Sequence, residues 1–380
     1  MKICTWGDVA SSLEGKPSGG GELQIALLMK ALAKAGHEVV IVDYLTRNDY
    51  VTTEGIKVFQ IKGYNNGISG LRFFTHRLPG IYSNLKAQKA DIYYCQIRDF
   101  RHILAYLAAR KVKGKFVLQL ASDLDAKDLK MRLKHDYLTH FGGLYWFAKL
   151  FLVELIFPML VRKADIILVQ HKGQKDDLMK KGIQSIIFYN LIEFDKIPAL
   201  SDPERQEFSY VGALDNRKGF FDFFRLVEKA PFAKFKIIGK PRDRTGNKYF
   251  RKLKSYGNVT LYGMLSHSDT MFQIQNSKAL ISTSPMEGFP NIFVEAWACG
   301  TPVLSLYFDP GGIIRNVGLG EVADGSIDKL IDLMTSLKNT PEFENKAKAY
   351  IEQNHVLNKA RIKEITTLFN KIRQSANPME

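Results

Sequence analysis

Short apolar runs alternate along this chain with stretches whose apolar residues recur every three or four positions. That is the rhythm of an α/β protein, strands and helices in turn. Met1-Lys2-Ile3-Cys4 opens a strand, Gly19-Gly20-Gly21 makes a loop, and residues 22–32 have helical spacing. Gly36-His37 closes that helix, and residues 39–42 form the next strand, ending at Asp43. Strands are also predicted at 115–120 and 164–167, and in the second half at 208–212, 235–239 and 258–263, the last three finishing in glycine. Helices are predicted over 220–229 and 357–374. The alternation breaks around residues 190–203, where Ile197-Pro198 and Ser201-Asp202-Pro203 interrupt it. A chain of 380 residues exceeds the usual single core, so two parallel-sheet domains dividing there are expected.

Composition adds compartment and partners. Cys4, Cys95 and Cys299 are odd in number, far apart and without metal-ligand spacing, which points to a reducing compartment. Met1-Lys2-Ile3 runs straight into a strand with no signal segment, so a cytoplasmic protein is expected. The net charge of +15 is uneven: the first 190 residues hold 28 basic and 17 acidic side chains. Lys111, Lys113, Lys115, Lys127, Lys130, Arg132 and Lys134 cluster there, and an apolar stretch follows at 141–161 with Tyr145, Trp146, Phe147, Phe151 and Phe157. Its length would span a bilayer, but Lys149, Glu154 and Pro158 argue against that. It reads as a buried helix, as an interfacial one beside a basic patch that attracts anionic lipid, or as both. No nucleic-acid module accompanies the basic residues.

The chemistry concentrates in Pro285-Met286-Glu287-Gly288-Phe289-Pro290-Asn291, continuing through Glu295 to Gly300-Thr301-Pro302. Pro290 suits the first helical position and Gly300 with Pro302 the stop. Asn291 and Glu295, four apart, share one helix face, and Glu287 lies in the loop before it. Two carboxylates beside loop amides suit a polyol that carries phosphate. A second segment, Gly212-Ala213-Leu214-Asp215-Asn216-Arg217-Lys218-Gly219, puts two cations before a helix, which again suits phosphate. A dinucleotide reading, with Asp43 gripping a ribose, fits poorly, because Gly19-x-Gly21 is followed by Gln24 where the last glycine should stand.

These segments resemble the family-4 retaining glycosyltransferases (glycosyl transferases group 1), whose Glu-x7-Glu signature is spelled here by Glu287 and Glu295 within EGFPN and EAWACGTPVLS. The family has a Gly-Gly loop near its start and a helix ending in Gly-His-Glu-Val, as at Gly36 to Val39. The resemblance covers nearly the whole chain. It implies the GT-B fold, two Rossmann-like domains facing an interdomain cleft. Residues 1–190, joined by the helix within 357–380, would bind the acceptor, and 191–356 the nucleotide sugar. It further implies that Lys218 binds the donor diphosphate and stabilises the departing nucleotide; Arg217 is the candidate second cation because Ala213 stands where the family often has an arginine. Glu295 would accept hydrogen bonds from the ribose. Glu287 and the backbone of Gly288, Phe289, Pro290 and Asn291 would hold the sugar, Gly20 and Gly21 would admit the diphosphate, and Gly263 and Met264 would lie along the base.

Two departures stand out. Ala213 replaces an arginine the family often has, and Gln119-Leu120-Ala121-Ser122-Asp123 lacks the family's histidine. Either Asp123 or Ser122 takes over that contact, or the sugar is oriented differently. Arg98 and His102 are further acceptor-side candidates, and Glu287, Lys218 and Asp123 the catalytic ones. Asp123-Leu124-Asp125 spells a metal-binding Asp-x-Asp, but in the domain that would not hold the donor, so no metal and no cofactor are expected. The expectation is therefore a metal-independent retaining glycosyltransferase. It would move a sugar from a UDP- or GDP-sugar to a lipid-linked or saccharide acceptor in surface polysaccharide or glycoconjugate assembly, with a peripheral place on the inner membrane face. The alternatives are a non-catalytic GT-B scaffold subunit and, as a poor third, an NAD-dependent Rossmann enzyme.

Overall fold

A computed structural model describes residues 1–15, 19–133, 144–193, 205–338 and 340–374. Lys134, Phe141 and the linker residues 194–203 lie outside that set, as do the side chains of Tyr145, Trp146 and Phe147. The described residues form two compact units, one from Met1–Leu133, His140–Leu191 and Leu357–Glu380, the other from Ile192–Val356.

The first unit is built on eight strands: β1 (Lys2–Gly7), β2 (Glu38–Asp43), β3 (Tyr50–Val51), β4 (Lys57–Gln60), β5 (Ile92–Gln96), β6 (Lys115–Gln119), β7 (Ile166–Val169) and β8 (Ile186–Ile187). Their order is β3-β4-β2-β1-β5-β6-β7-β8. All neighbours are parallel except β3, a two-residue antiparallel edge strand on β4. The central strands are covered on both faces, which is why they read as continuous apolar runs. The Gly20–Lys34 helix shares one core with Ile365, Phe369 and Ile372 of the last helix, Lys359–Gln374. On the other face the His102–Val112 and Leu144–Lys163 helices pack over Phe116, Leu118 and Val169.

The second unit carries β9 (Phe208–Val211), β10 (Phe235–Ile238), β11 (Val259–Gly263), β12 (Ala279–Ser282), β13 (Val303–Ser305) and β14 (Gly320–Val322), all parallel, in the order β11-β10-β9-β12-β13-β14. The expected α/β class with two Rossmann-like parallel sheets is what the chain forms. Each sheet has one place where the strand order reverses, between β1 and β5 in the first and between β9 and β12 in the second. Loops leaving such paired strands diverge to opposite faces and leave a crevice, the usual ligand position in open α/β sheets.

The Leu144–Lys163 helix divides its surface. Val153, Phe157, Leu160 and Val161 are buried, whereas Phe151 and Leu155 are 62 % exposed and Met159 is 37 % exposed. Glu154 between them is turned inward, paired with Arg98 at 3.2 Å and Arg132 at 2.7 Å. No helix among the described residues is long and apolar enough to cross a membrane. The expected basic cluster is also reduced, because Arg132 pairs with Glu154, Lys127 with Asp177 and Lys115 with Asp165. Lys111, Lys113 and Lys130 stay exposed. Replacing Glu154 by Gln would leave two guanidinium groups facing each other in a nearly dry pocket. We expect Glu154→Gln to lower the urea unfolding free energy by about 3–5 kcal/mol, the usual cost of stripping one partner from a buried pair.

Candidate functional site

In the second unit the crevice between β9 and β12 is bordered by two loops, one following each strand. After β9, Asp215 caps a tight turn by accepting from the Lys218 N–H at 3.0 Å, and Gly219 takes a left-handed φ of 64° before the Phe220–Lys229 helix. After β12, the Thr283 hydroxyl is shared between the carbonyls of Lys218 (3.0 Å) and Gly219 (2.9 Å). A Cβ on Gly219 would stand 2.0 Å from the Thr283 carbonyl oxygen, so only glycine permits this approach. Tyr210, on β9, donates its hydroxyl to the Lys218 carbonyl at 3.2 Å. Burial pushes the phenol far up, with the charges of Asp215 and Glu287 adding to the rise, so it stays a donor.

This tying of loops brings the Lys218 ammonium onto the Glu287 carboxylate. Their side chains are 36 % and 19 % exposed, so the pair is worth no more than about 1 kcal/mol and yields to a stronger anion. Arg217 is turned onto Asp215 at 2.7 Å and is half exposed, a second cation on the same turn. The Asn291–Ala298 helix starts one residue later than expected. Pro290 has φ −63° but ψ 121°, so it is the residue before the helix and not its first member. Gly300 at φ 64° closes it, with the Gly300 N–H on Trp297 and the Thr301 N–H on Ala296. Glu295, 13 % exposed, is 3.2 Å from His267, the first residue of the His267–Gln275 helix. The Phe289 side chain is buried against Trp297 and His355, so this residue offers a ligand only its backbone. Gly263 ends β11, and Met264 beyond it is exposed.

The first unit rearranges several expectations. Gly20 and Gly21 are the first two helical residues and not a loop, and the Ile97 side chain lies where a Cβ on Gly21 would be, 2.6 Å away. Asp43 is fully buried, with its carboxylate accepting from the N–H groups of Val9, Ala10, Leu45 and Thr46 at 2.7–3.0 Å. It ties the loop after β1 to β2 and has nothing left for a ribose, which removes the dinucleotide reading. Asp123-Leu124-Asp125 is helical, not extended. Asp125 folds back onto the N–H groups of Ala121 and Ser122, both at 3.0 Å, and the Ser122 hydroxyl caps Leu124. Asp123 points elsewhere, its Oδ1 accepting from His171 at 2.7 Å and Gln174 at 3.1 Å. The two carboxylates do not form a clamp. Arg98 is in the Glu154 network, and His102 is buried with both ring nitrogens engaged.

His171 and His267 were missed by sequence reasoning. His171 is two residues past β7, a position visible as Gln170-His171 after an apolar run, but its partner Asp123 is 48 residues away. The three cysteines offer no nucleophile. Burial pushes the Cys299 thiol up to about 12 and raises those of Cys4 and Cys95 well above the usual thiol range.

Residues 192–354 match the family described as glycosyl transferases group 1. A lipopolysaccharide 1,6-galactosyltransferase from Salmonella typhimurium is 32 % identical over 37 % of this chain and 43 % of its own length. An uncharacterized glycosyltransferase from Methanocaldococcus jannaschii is 27 % identical over 40 % of this chain. The chain thus spans about two fifths of the length of each of these relatives. Among solved structures, a sucrose-phosphate synthase from Thermosynechococcus elongatus superposes with a TM-score of 0.73 over 98 % of this chain and 99 % of that one, at 15 % identity. Anabaena Alr3699/HepE in complex with UDP gives 0.67 over 98 % and 100 %, also at 15 %. The fold is the GT-B fold.

Within it, the Gly219–Thr283 contact fixes where Lys218 stands. Gly219→Ala must either tilt the turn or displace β12's end. A loss of roughly 1–3 kcal/mol is expected, read as a lower melting temperature.

Proposed function

We propose that the protein is a retaining glycosyltransferase that uses a nucleotide sugar, with the donor held by the second unit. The observation that carries this reading is the Lys218–Glu287 pair at the β9/β12 crevice, inside the segment that matches the glycosyltransferase family. When the donor arrives, its diphosphate takes Lys218 away from Glu287. Arg217 adds a second charge, and Glu287 is freed to accept hydrogen bonds from the sugar hydroxyls. Glu295, fixed by His267, accepts from the ribose. The backbone of Gly288, Phe289, Pro290 and Asn291 orients the sugar, and Gly263 and Met264 flank the base.

In the transfer, the bond from the anomeric carbon to the diphosphate oxygen breaks, and the acceptor oxygen bonds to that carbon on the same face. The hydroxyl proton passes to the departing phosphate oxygen. Lys218 and Arg217 offset the charge that grows there, a fixed electrostatic contribution that replaces a divalent ion in this reading. Asp123, one oxygen of which is held by His171 and Gln174, is the catalytic candidate of the first unit in this reading. UDP is the favoured nucleotide because a solved neighbour of the same fold is a UDP complex. We expect Lys218→Ala and Glu287→Ala each to cut turnover of the preferred UDP-sugar by about 10²–10³-fold with little change in melting temperature. Unchanged turnover in both would remove the assignment, and no turnover in the unmodified protein would favour a scaffold role.

The acceptor in this reading is lipid-linked, as in surface polysaccharide assembly. The support is the stripe of Phe151, Leu155 and Met159 on one side of the Leu144–Lys163 helix, exposed while its other side is packed. Such a stripe lies flat in a bilayer interface. Co-sedimentation with phosphatidylglycerol vesicles is expected, and Phe151→Ser/Leu155→Ser should reduce it several-fold. Equal recovery in the supernatant for both proteins would point to a soluble saccharide acceptor instead.

A further inference from the structure

Residues 191–380 hold 26 basic and 22 acidic side chains, but the excess is confined to one place. Residues 240–254 carry seven cations and a single carboxylate, Asp243, while the rest of that half holds 19 basic and 21 acidic side chains. The stretch comprises the loop after β10, the Arg244–Leu253 helix and Lys254. Arg244, Lys248, Arg251 and Lys252 recur at three- and four-residue spacing, so they form one row along the helix, a charge about every 6 Å. All four are exposed, and none of them has an ion pair among the described residues. Other cations of the second unit are matched: Lys229 with Asp328 at 2.7 Å, Lys329 with Asp324 at 2.7 Å and Arg205 with Glu344 at 2.9 Å. Asp243 is committed to backbone, accepting from the Gly246 N–H at 2.6 Å and the Asn216 N–H at 2.9 Å. Like charges one turn apart destabilise a helix, so the fold tolerates this row without needing it.

The surface beneath the row narrows the choice of polyanion. Lys248 stands over the Tyr249 ring at 5.1 Å, and Lys252 over Phe224 at 5.3 Å and Tyr249 at 5.8 Å. The rings pack on one another, with Phe224 and Tyr249 centroids 4.6 Å apart. Phe221 at the edge has Tyr249 at 5.1 Å and the Arg225 guanidinium over its ring at 5.9 Å. A nucleic-acid base needs a bare ring face to stack on, and these faces are taken. An interfacial helix inserts large apolar side chains beside its cations, whereas Leu253 is buried and Tyr249 and Phe250 are half-buried. A flexible chain whose charges recur along its length fits, since each can be met singly. The near end of the row gives that chain its place. The Arg242 N–H donates to the Leu214 carbonyl at 3.2 Å, and the Asp243–Asn216 bond ties the helix start to the turn that carries Arg217 and Lys218. What lies along the row therefore ends at the donor turn, where a glycan about to be extended belongs.

We propose that the outer face of the Arg244–Leu253 helix binds an anionic glycan, the remote part of the acceptor chain, charged at intervals by carboxylate or phosphodiester groups. The proposal rests on the glycosyltransferase reading and adds to it a binding surface on the second unit. The test is fluorescence anisotropy on the full chain with labelled oligogalacturonate and with a poly(glycerol phosphate) oligomer of equal charge. A neutral malto-oligosaccharide, an oligothymidylate and phosphatidylglycerol vesicles serve as comparisons, and UDP is titrated separately. An anionic glycan should bind, more weakly as salt rises, and the neutral one should not; the tighter of the two anionic probes names the charged group. Lys248→Glu/Lys252→Glu should weaken that binding at least about tenfold, because it reverses the middle of the row. Lys111→Glu/Lys113→Glu removes the same net charge from the first unit and should change it less than about twofold. Lys248→Gln/Lys252→Gln should weaken it in the same direction and keeps the test open if the reversal does not fold. Equal losses in the two reversal pairs, equal binding of the neutral oligosaccharide, or tighter binding of oligothymidylate or vesicles than of either anionic glycan would each overturn the surface. UDP affinity should be unchanged in all these variants. Failure of the unmodified protein to bind UDP would overturn the glycosyltransferase reading instead, and it is read independently of the glycan titration.

Discussion

The hydroxyl of Thr283 shared between the carbonyls of Lys218 and Gly219 is the contact on which the second unit's chemistry depends. It ties the loop after β12 to the loop after β9, the two strands flanking the reversal of sheet order. Without it the cation of one loop and the carboxylate of the other would be independent side chains on mobile turns. With it, they meet. Holding both loops fixed before a ligand arrives is what allows partly exposed charges to act as a preorganised site rather than as a solvated ion pair.

The first unit solves the same problem with different chemistry. Its reversal point lies between β1 and β5, and the loops there are fixed by buried polar atoms. Asp43 takes four backbone N–H groups, and His102 bridges Trp6 to the carbonyls after β5. The two reversal points therefore differ in the sign of the groups they present. The β9/β12 turn presents Lys218 and Arg217, suited to a diphosphate, while a cavity between β1 and β5, lined by Asp8, Glu22, Asp99 and Arg101, presents more carboxylate than cation.

Burial also separates residues that look alike in the sequence. Asp123 and Asp125 are two apart, yet one caps a helical turn inside the protein and the other is offered outward by His171. Glu154, which looked like a misplaced charge in an apolar helix, is the shared partner of two arginines, so the helix keeps an apolar outer side and a neutralised inner one. Charge within an apolar run was thus a sign of burial.

The α/β class, the paired parallel sheets and the Lys218 and Glu287–Glu295 segments were legible in the sequence, because strand runs, helix spacing and glycine-bounded turns are local properties of the chain. Element boundaries were less so. Pro290 can adopt a helical φ, but only its ψ decides whether it starts the helix, and Gly20 and Gly21 begin a helix with Ile97 packed against Gly21. The partners were not legible at all. Lys218 with Glu287 and Asp123 with His171 are pairings between residues 69 and 48 apart in sequence. Local propensity fixes which residues can stand at a strand's end. Which of them face each other, and which are left without a partner, is set by the order in which parallel strands assemble, and that order exists only in the folded sheet.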